Sequence, residues 1–372
     1  MPYLVRENLF IGNINDAAEI LRSGGSGSGI THVLSVLSSP SIDFFTEWKS
    51  SVVIPVKVIK KVFVSDWEEK DGDDDDEGEQ SPTVGRGRRI RTCLPPEKVL
   101  YVLERSGPGF EIERMGVGVR DMENENLLDH LDVCLEFIER GRRDGSILVH
   151  CFAGVSRSAA VITAHLMRSE KMSHEDALES LKQVCEFVCP NDGFLDQLKM
   201  FEEMGYTVDR SSAVYKRFRL MNLGESYNRG EKIDSSKFGV DPGNPTEISP
   251  AIPTEEIKRV PAYRCRKCRR VVALFENVVD HVPGDGKTSF AWNKRGAWNP
   301  YNNSESECSS IFIEPLRWMK AVEDGALEGK LQCVHCDGRL GYFNWSGIQC
   351  SCGNWITPAF QLHKSRVDVS SV

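Results

Sequence analysis

The sequence predicts an α/β layer fold over its first two hundred residues, a central, mostly parallel sheet flanked by helices, followed by a small β-rich domain. Three observations carry this. Short apolar, β-branched runs alternate with segments whose apolar residues recur at three- and four-residue steps, as in parallel-sheet architectures. The cysteines divide by position: Cys93, Cys134, Cys151, Cys185 and Cys189 lie before residue 200, and Cys265, Cys268, Cys308, Cys333, Cys336, Cys350 and Cys352 after residue 264. Between the two sets, "DPGNPTEISPAIPTEE" is rich in proline and acid and poor in apolar residues. The expected domains are 1–210 and 263–368, joined by a linker at 211–262. A chain of 372 residues accommodates both.

"NLFIGN" reads as a strand and "DAAEILRS" as a helix, followed by a Gly/Ser loop and the central strand "ITHVLSVL". "WKSSVVIPVKVIKKVFV" offers a further strand or two. Residues 66–118 read as an insertion, partly disordered, because "DWEEKDGDDDDEGEQSPTVGRGRRIRTC" is an acidic run followed by a basic one. Such a run is read first as a solvated loop, with phosphorylation of Ser81 before Pro82 as the regulatory alternative. From Glu125 the pattern is helical, through Leu127, Leu128, Leu131, Cys134, Leu135 and Ile138, with an end expected near Gly141. "SILVH" is a short buried strand, "FAGVSRS" a loop and "SAAVITAHLMRSE" a helix. Two more helices follow, "SHEDALESLKQVCEFV" capped by Ser173 and "PNDGFLDQLKMFEEMGY". A helical tail at "SSAVYKRFRLMNLGESY" opens the linker.

Composition narrows the function. Hydrophobic residues make up 40%, enough for a core, and a net charge of −9 argues against a generic nucleic-acid binder. "MPYLVRENLFIGN" lacks the basic and apolar regions of a signal peptide, and no apolar run approaches the ~20 residues of a membrane span. The expected setting is cytoplasm and nucleus, away from membranes, with reduced cysteines and a monomeric chain.

Residues 150–158, "HCFAGVSRS", carry the first chemistry. A strand feeding a glycine-containing loop that opens a helix turns successive backbone N–H groups, and the positive helix end, toward one point. Amides gathered around Cys151 favour its thiolate, which is the nucleophilic form. Arg157 is placed to grip two phosphate oxygens bidentately. Phe152, Ala153, Gly154, Val155 and Ser156 add no side-chain charge, so their backbone forms the phosphate cradle, with Gly154 allowing the tight turn. Ser158 is placed to hydrogen-bond the sulfur, and His150 to order the loop. The competing reading is a buried structural cysteine beside a surface arginine. A phosphate monoester also needs an acid for its leaving oxygen. Asp121 is the first candidate, with Glu123 and Glu125 as rivals. Asp129 and Asp132 fall within a helix, where a solvated face is expected.

"HCFAGVSRSAAVITAHLM" resembles the signature loop and following helix of dual-specificity protein phosphatases, and "NLFIGN", "ITHVLSV", "NLLDHLDVCLEFIERG" and "PNDGFLDQL" are similar to that family's other landmarks in order. The resemblance implies the cysteine-phosphatase fold and a two-step reaction. Cys151 takes the phosphoryl group, Asp121 protonates the leaving oxygen, and Asp121 then activates water. No metal is implied at that site. Phosphatases of inositol lipids place lysines inside this loop, and residues 152–156 contain none, so phosphotyrosine and phosphoserine or phosphothreonine in proteins are the expected substrates. Residues 66–118 depart from the family's short connection at that place.

"CRKC" at 265–268 and "CVHC" at 333–336 are C-x2-C knuckles, and "CSC" at 350–352, Cys308 and His281 bring the set to seven Cys and one His. Eight such ligands make two tetrahedral structural zinc sites. Cys265, Cys268, Cys333 and Cys336 are expected to share one ion, and His281, Cys308, Cys350 and Cys352 the other. His335 and His363 are alternatives to His281. Five of the seven tryptophans lie in this segment and supply a small core.

"YRCRKCRR", "IFIEPLRWM" and "LGYFNWSGIQCSCGNWITPAFQLHKSRVD" resemble the C-terminal zinc-binding domain of the zinc-finger dual-specificity phosphatases, the dual specificity protein phosphatase 12 type. That resemblance implies a role in maturation of the large ribosomal subunit on pre-60S particles, largely separable from catalysis. Arg264, Arg266, Arg269 and Arg270 would meet ribosomal RNA phosphates, or simply keep the knuckle solvated. Two functions are therefore carried forward, a phosphoprotein phosphatase and a mainly non-catalytic assembly factor. Redox pairing of Cys151 with Cys134 or Cys93 is a third, minor one.

Overall fold

Apolar β-branched runs do form the predicted centre. The structure, a computed structural model, describes residues 1–25, 27–66, 92–95, 97–231, 233, 237–244, 261–281 and 308–371. It divides into two units, Met1–Glu68 with Leu94–Arg210, and Glu69–Cys93 with Ser211–Val372.

In the first unit, β1 (Tyr3–Arg6), β2 (Leu9–Gly12), β3 (His32–Leu37), β4 (Val56–Phe63), β5 (Val99–Ser106), β6 (Ile112–Gly118) and β7 (Ile147–His150) form one sheet in the order β1-β2-β7-β3-β6-β5-β4. The four strands β2, β7, β3 and β6 are parallel, and the strands outside them pair antiparallel. All six residues of β3 and all four of β7 are buried, as strands covered on both faces must be. Helix α1 (Ile14–Ser23) and the short α2 (Asp43–Trp48) pack Ile14, Ala17, Leu21 and Phe45 against Val33, Leu37, Ile112 and Leu148. Helices α3 (Leu128–Asp144) and α4 (Arg157–Glu170) contact the sheet through β3 and β7, and α5 (His174–Val184) and α6 (Asp192–Glu203) pack on α4.

Three local differences from the sequence reading have physical causes. The stretch before residue 119 contains two strands, β5 and β6, and the alternating burial of β5 shows why they were hard to see. A half-buried strand takes its identity from the neighbour it pairs with. The acidic–basic run at 67–91 lies outside the described residues. Helix α3 runs past Gly141 to Asp144 and ends at Gly145. A Cβ on Gly141 would lie 3.1 Å from His32 and Ile147, so that glycine lets the helix sit close on the sheet. Asp129 is buried beside Arg210, and Asp132 meets Arg168 at 2.6 Å, so neither belongs to a solvated face. Edge strand β4 exposes Lys57, Lys60 and Lys61 and carries a register shift between Val58 and Lys60, both of which discourage pairing with another chain.

The second unit begins with α7 (Ala213–Asn228), capped by Ser212. The sequence reading set this helix at the head of a linker, whereas Leu220 and Leu223 belong to the core that holds Trp318, Trp345, Phe343 and Phe360. Tyr227 stacks on Trp345 with ring centroids 4.7 Å apart, and Arg219 pairs with the buried Glu314. A three-stranded sheet, β16-β8-β9, contains β8 (Pro261–Cys265), β9 (Val271–Leu274) and β16 (Val367–Ser371). A four-stranded one, β10-β15-β12-β11, contains β10 (Ser310–Phe312), β11 (Glu328–Gln332), β12 (Arg339–Asn344) and β15 (Ala359–His363). The hairpin β13 (Ile348–Gln349) and β14 (Trp355–Ile356) completes it. Among the described residues, no helix is long and apolar enough to cross a membrane.

Two predictions follow from this packing. Burial pushes His130 and His150 down to about 3 and His165 to about 4. The unfolded chain protonates these rings near pH 6.5 and the folded one does not. Stability of the first unit should therefore fall as pH drops from about 6.5, by about 1.4 kcal/mol per pH unit for each ring. Glu104, whose carboxyl burial raises, acts in the opposite direction. Urea titrations at pH 7 and pH 5 measure the difference. Arg219→Ala leaves Glu314 buried without its guanidinium partner, and should lower the second unit's stability by about 3 kcal/mol in a thermal melt.

Candidate functional site

The loop from β7 to α4 closes around the Cys151 sulfur. The sulfur is buried and accepts hydrogen bonds from the Gly154 N–H and the Ser158 hydroxyl, each at 3.2 Å. Gly154 adopts φ +80°, and a Cβ there would stand 2.9 Å from the Gly12 carbonyl oxygen, so glycine is required both by conformation and by space. The Phe152 carbonyl accepts from Ile14 N–H at 3.1 Å, tying the loop to the first turn of α1. Phe152 and Ala153 are exposed at its rim. No side chain among the described residues caps the N-terminus of α4, because the Ser156 hydroxyl turns to Asp121 instead. The first amides of α4 remain available to an anion.

Arg157, the first residue of α4, is buried at 7% exposure and donates from Nη1 to the Val119 carbonyl at 3.2 Å. Its Nε lies 3.6 Å from Asp121. Asp121 Oδ1 accepts from Ser156 Oγ at 2.6 Å and from Asn191 Nδ2 at 2.9 Å, while its side chain stays 36% exposed. The structure thus gathers Gly154 and Ser158 on the Cys151 sulfur, and Ser156, Asn191 and Arg157 around Asp121. Of the rival acids, Glu125 is held by Arg120 at 2.6 Å and Lys98 at 3.5 Å.

Asn191 was not singled out in the sequence reading. It caps α6 by accepting from Phe194 N–H, and with the same amide group grips Asp121, while Cys189 N–H donates to Val155 O at 2.8 Å. The "PND" before a helical run marks the cap, but nothing local points it at residue 121. His150 is fully buried and uncharged. Its Nδ1 lies 3.1 Å from the Cys151 carbonyl and its Nε2 2.7 Å from Ser35 Oγ.

In the second unit the cysteines gather in two groups, Cys265, Cys268, Cys333 and Cys336, and His281, Cys308, Cys350 and Cys352, each with ligand atoms within 4.8 Å of one another. His335 is exposed and His363 faces Ser310, outside both groups. The two knuckles share one turn. Arg269 and Asp337, each just after its second cysteine, adopt φ 67° and 54°, and donate N–H to Cys265 O and Cys333 O. The Sγ separations of 3.7 Å and 3.6 Å in the first group approach the about 3.8 Å edge of a tetrahedron with metal–sulfur bonds near 2.3 Å. His281 Nε2 lies 3.5 Å from Cys308 and 3.4 Å from Cys352, close to the about 3.5 Å of a mixed N/S tetrahedron. Burial first, then neighbouring sulfurs, push the Cys308 and Cys333 thiols up to about 12, a charge conflict that a dication relieves. Both groups fit a structural metal ion.

A family model described as "Dual specificity phosphatase, catalytic domain" matches residues 101–204. Human "Dual specificity protein phosphatase 12" is 42% identical over 267 residues, covering 71% of this chain and 76% of that protein. "Tyrosine-protein phosphatase YVH1" of Saccharomyces cerevisiae is 33% identical over 251 residues, covering 65% and 69%. The crystal structure of the Yvh1 phosphatase domain from Chaetomium thermophilum is 23% identical, covers 55% of this chain and 95% of its own, and superposes with a TM-score of 0.33.

Two closed ligand groups predict two metal equivalents per chain by elemental analysis. Cys308→Ser should reduce the count to one and leave the first group loaded.

Proposed function

Because the chain belongs to the dual specificity protein phosphatases, in the group that includes human dual specificity protein phosphatase 12, we propose that Cys151 performs its phosphatase chemistry as the nucleophile. The single observation supporting this assignment is the buried Cys151 sulfur held by a loop amide and a hydroxyl, Gly154 N–H and Ser158 Oγ, each at 3.2 Å. The thiolate attacks phosphorus in line with the leaving oxygen, and an S–P bond forms as the P–O bond breaks. The N–H groups of residues 152–156 and Arg157 hold the equatorial oxygens, where charge gathers in the transition state. Asp121, protonated at that moment, gives its proton to the leaving alkoxide or phenoxide. In the second step it takes a proton from water as water attacks phosphorus. The S–P bond breaks, and the Ser158 hydroxyl stabilises the departing sulfur. Ser156 and Asn191 hold Asp121 over the pocket in both steps.

The substrates we propose are phosphotyrosine and phosphoserine or phosphothreonine in proteins. The metal we assign to both cysteine groups is zinc, on the chemistry of the donors: four sulfurs, or three sulfurs and an imidazole, with every tetrahedral position filled by protein. Its part is structural, and no catalytic step passes through it.

For the second unit we propose a role in large ribosomal subunit assembly, supported by its resemblance to the zinc domain of this group. The basic stretch is more constrained than its sequence implies. Arg266 and Arg269 pair with Asp368, and Arg270 with Asp241, whereas Arg264 and Lys267 bond to neutral oxygens. Arg264 and Lys267 are therefore the residues best placed to meet phosphate.

Cys151→Ser should abolish turnover of phosphotyrosyl and phosphothreonyl peptides, and Asp121→Asn should lower kcat by about 10²–10⁴-fold. Cys151→Ser should still cosediment with ribosomal particles, and charge reversal at Arg264 and Lys267 should weaken that cosedimentation. Unchanged turnover in Cys151→Ser removes the nucleophile assignment, and unchanged cosedimentation on charge reversal removes the phosphate contact.

A further inference from the structure

We infer that Ser35, Arg114 and Glu104 are positioning residues that fix the ring of His150, and through it the main chain of Cys151, by a hydrogen-bonded row across four adjacent strands; this rests on the phosphatase reading above. The strands β7, β3, β6 and β5 are neighbours in that order, and each supplies one member. Ser35 on β3 stands opposite His150 on β7, and Glu104 on β5 stands opposite Arg114 on β6. Ser35 lies between Val33 and Leu37, His150 two residues beyond Leu148, and Arg114 two beyond Ile112. Those flanking residues share one apolar cluster, so by the period of two the row occupies a single sheet face. Phe45 packs there too, its ring 5.8 Å from that of His150 and 5.7 Å from the Arg114 guanidinium.

The direction of the row follows from what each group can donate. Arginine has donors only. Arg114 Nε donates to Ser35 Oγ at 3.0 Å, which leaves the single Ser35 proton for His150 Nε2 at 2.7 Å. Nε2 is then an acceptor, the ring proton sits on Nδ1, and Nδ1–H donates to the Cys151 carbonyl at 3.1 Å. That carbonyl is held by the ring while the amide of Gly154 meets the sulfur.

The far end needs its own support, because Arg114 is fully buried. Glu104 compensates its charge at 2.5 Å, and the Pro40 carbonyl accepts from Nη1 and Nη2 at 3.2 Å. Gly116 makes the room. A Cβ at that position would lie 2.1 Å from the Pro40 oxygen and 3.0 Å from Arg114 Nη2. Glu104 comes from β5, so that strand reaches the loop after β7 through three intermediaries, Arg114, Ser35 and His150.

The test uses the full chain, para-nitrophenyl phosphate as substrate, and ¹⁵N spectra of the histidine rings. Ser35→Ala should lower kcat about tenfold with little change in KM, the worth of one buried hydrogen bond acting on positioning. Ser35→Thr should restore it. The paired change Glu104→Met with Arg114→Met removes both charges together, so it should keep the melting temperature while kcat falls in the same direction. In the wild type, His150 should show a protonated Nδ1 and a bare, hydrogen-bonded Nε2, whose resonance moves to that of an unbonded nitrogen in Ser35→Ala. A lowered melting temperature with unchanged kcat in these variants, or an unmoved Nε2 resonance, overturns the positioning role. A wild type that does not turn over the substrate sinks the phosphatase reading instead, and the ring spectrum then decides the row by itself.

Discussion

Close approach of two backbones, the loop after β7 and the corner between β2 and α1, is the constraint on which the first unit's site depends. Gly154 fits under the Gly12 carbonyl only without a side chain, and Ile14 N–H holds Phe152 O. With the loop pinned there, the Gly154 amide meets the sulfur while the Phe152 and Ala153 side chains lie exposed. The parallel sheet sets the height of both partners, since Gly12 stands opposite His150 in the β2–β7 register. The site thus sits just beyond the carboxyl ends of parallel strands, where open α/β sheets place their ligands.

The acid is placed by a different logic. Asp121 lies three residues beyond the end of β6 and is caught by two side chains from other elements, Ser156 in the loop and Asn191 at the head of α6. Each does double duty. Ser156 gives up capping α4, which leaves that helix end open to an anion, and Asn191 caps α6 with its oxygen while holding the acid with its nitrogen. Two neutral donors thus hold Asp121, the Arg157 guanidinium stands 3.6 Å away, and the carboxylate stays partly exposed.

The second unit solves the problem of a small core with two devices. The cysteine groups join strands that are far apart in sequence, Cys265 and Cys268 at the end of β8 with Cys333 and Cys336 between β11 and β12. The left-handed turns at Arg269 and Asp337 are tolerable because each knuckle is over-determined by its hydrogen bonds and by whatever its sulfurs share. Helix α7 supplies the rest, with Tyr227 on Trp345 and Arg219 on Glu314.

By itself, the amino-acid order determined whatever depends on neighbours a few residues apart. That includes the strand, glycine turn and helix around "HCFAGVSRS", the cap at Ser173, the three- and four-residue steps of α3, and two knuckles whose thiols suit a metal ion. Tertiary structure alone decided the rest. Which side chains hold Asp121 and whether α7 is linker or core turn on contacts across tens to more than a hundred residues. The strands β5 and β6 belong to the same class, for the alternating β5 and the nearly fully buried β6 are fixed by the partners they pair with. Glu104, Arg114, Ser35 and His150 make the point most sharply. Apart from His150, each is unremarkable in its own segment, and only the register of four strands sets them in a row.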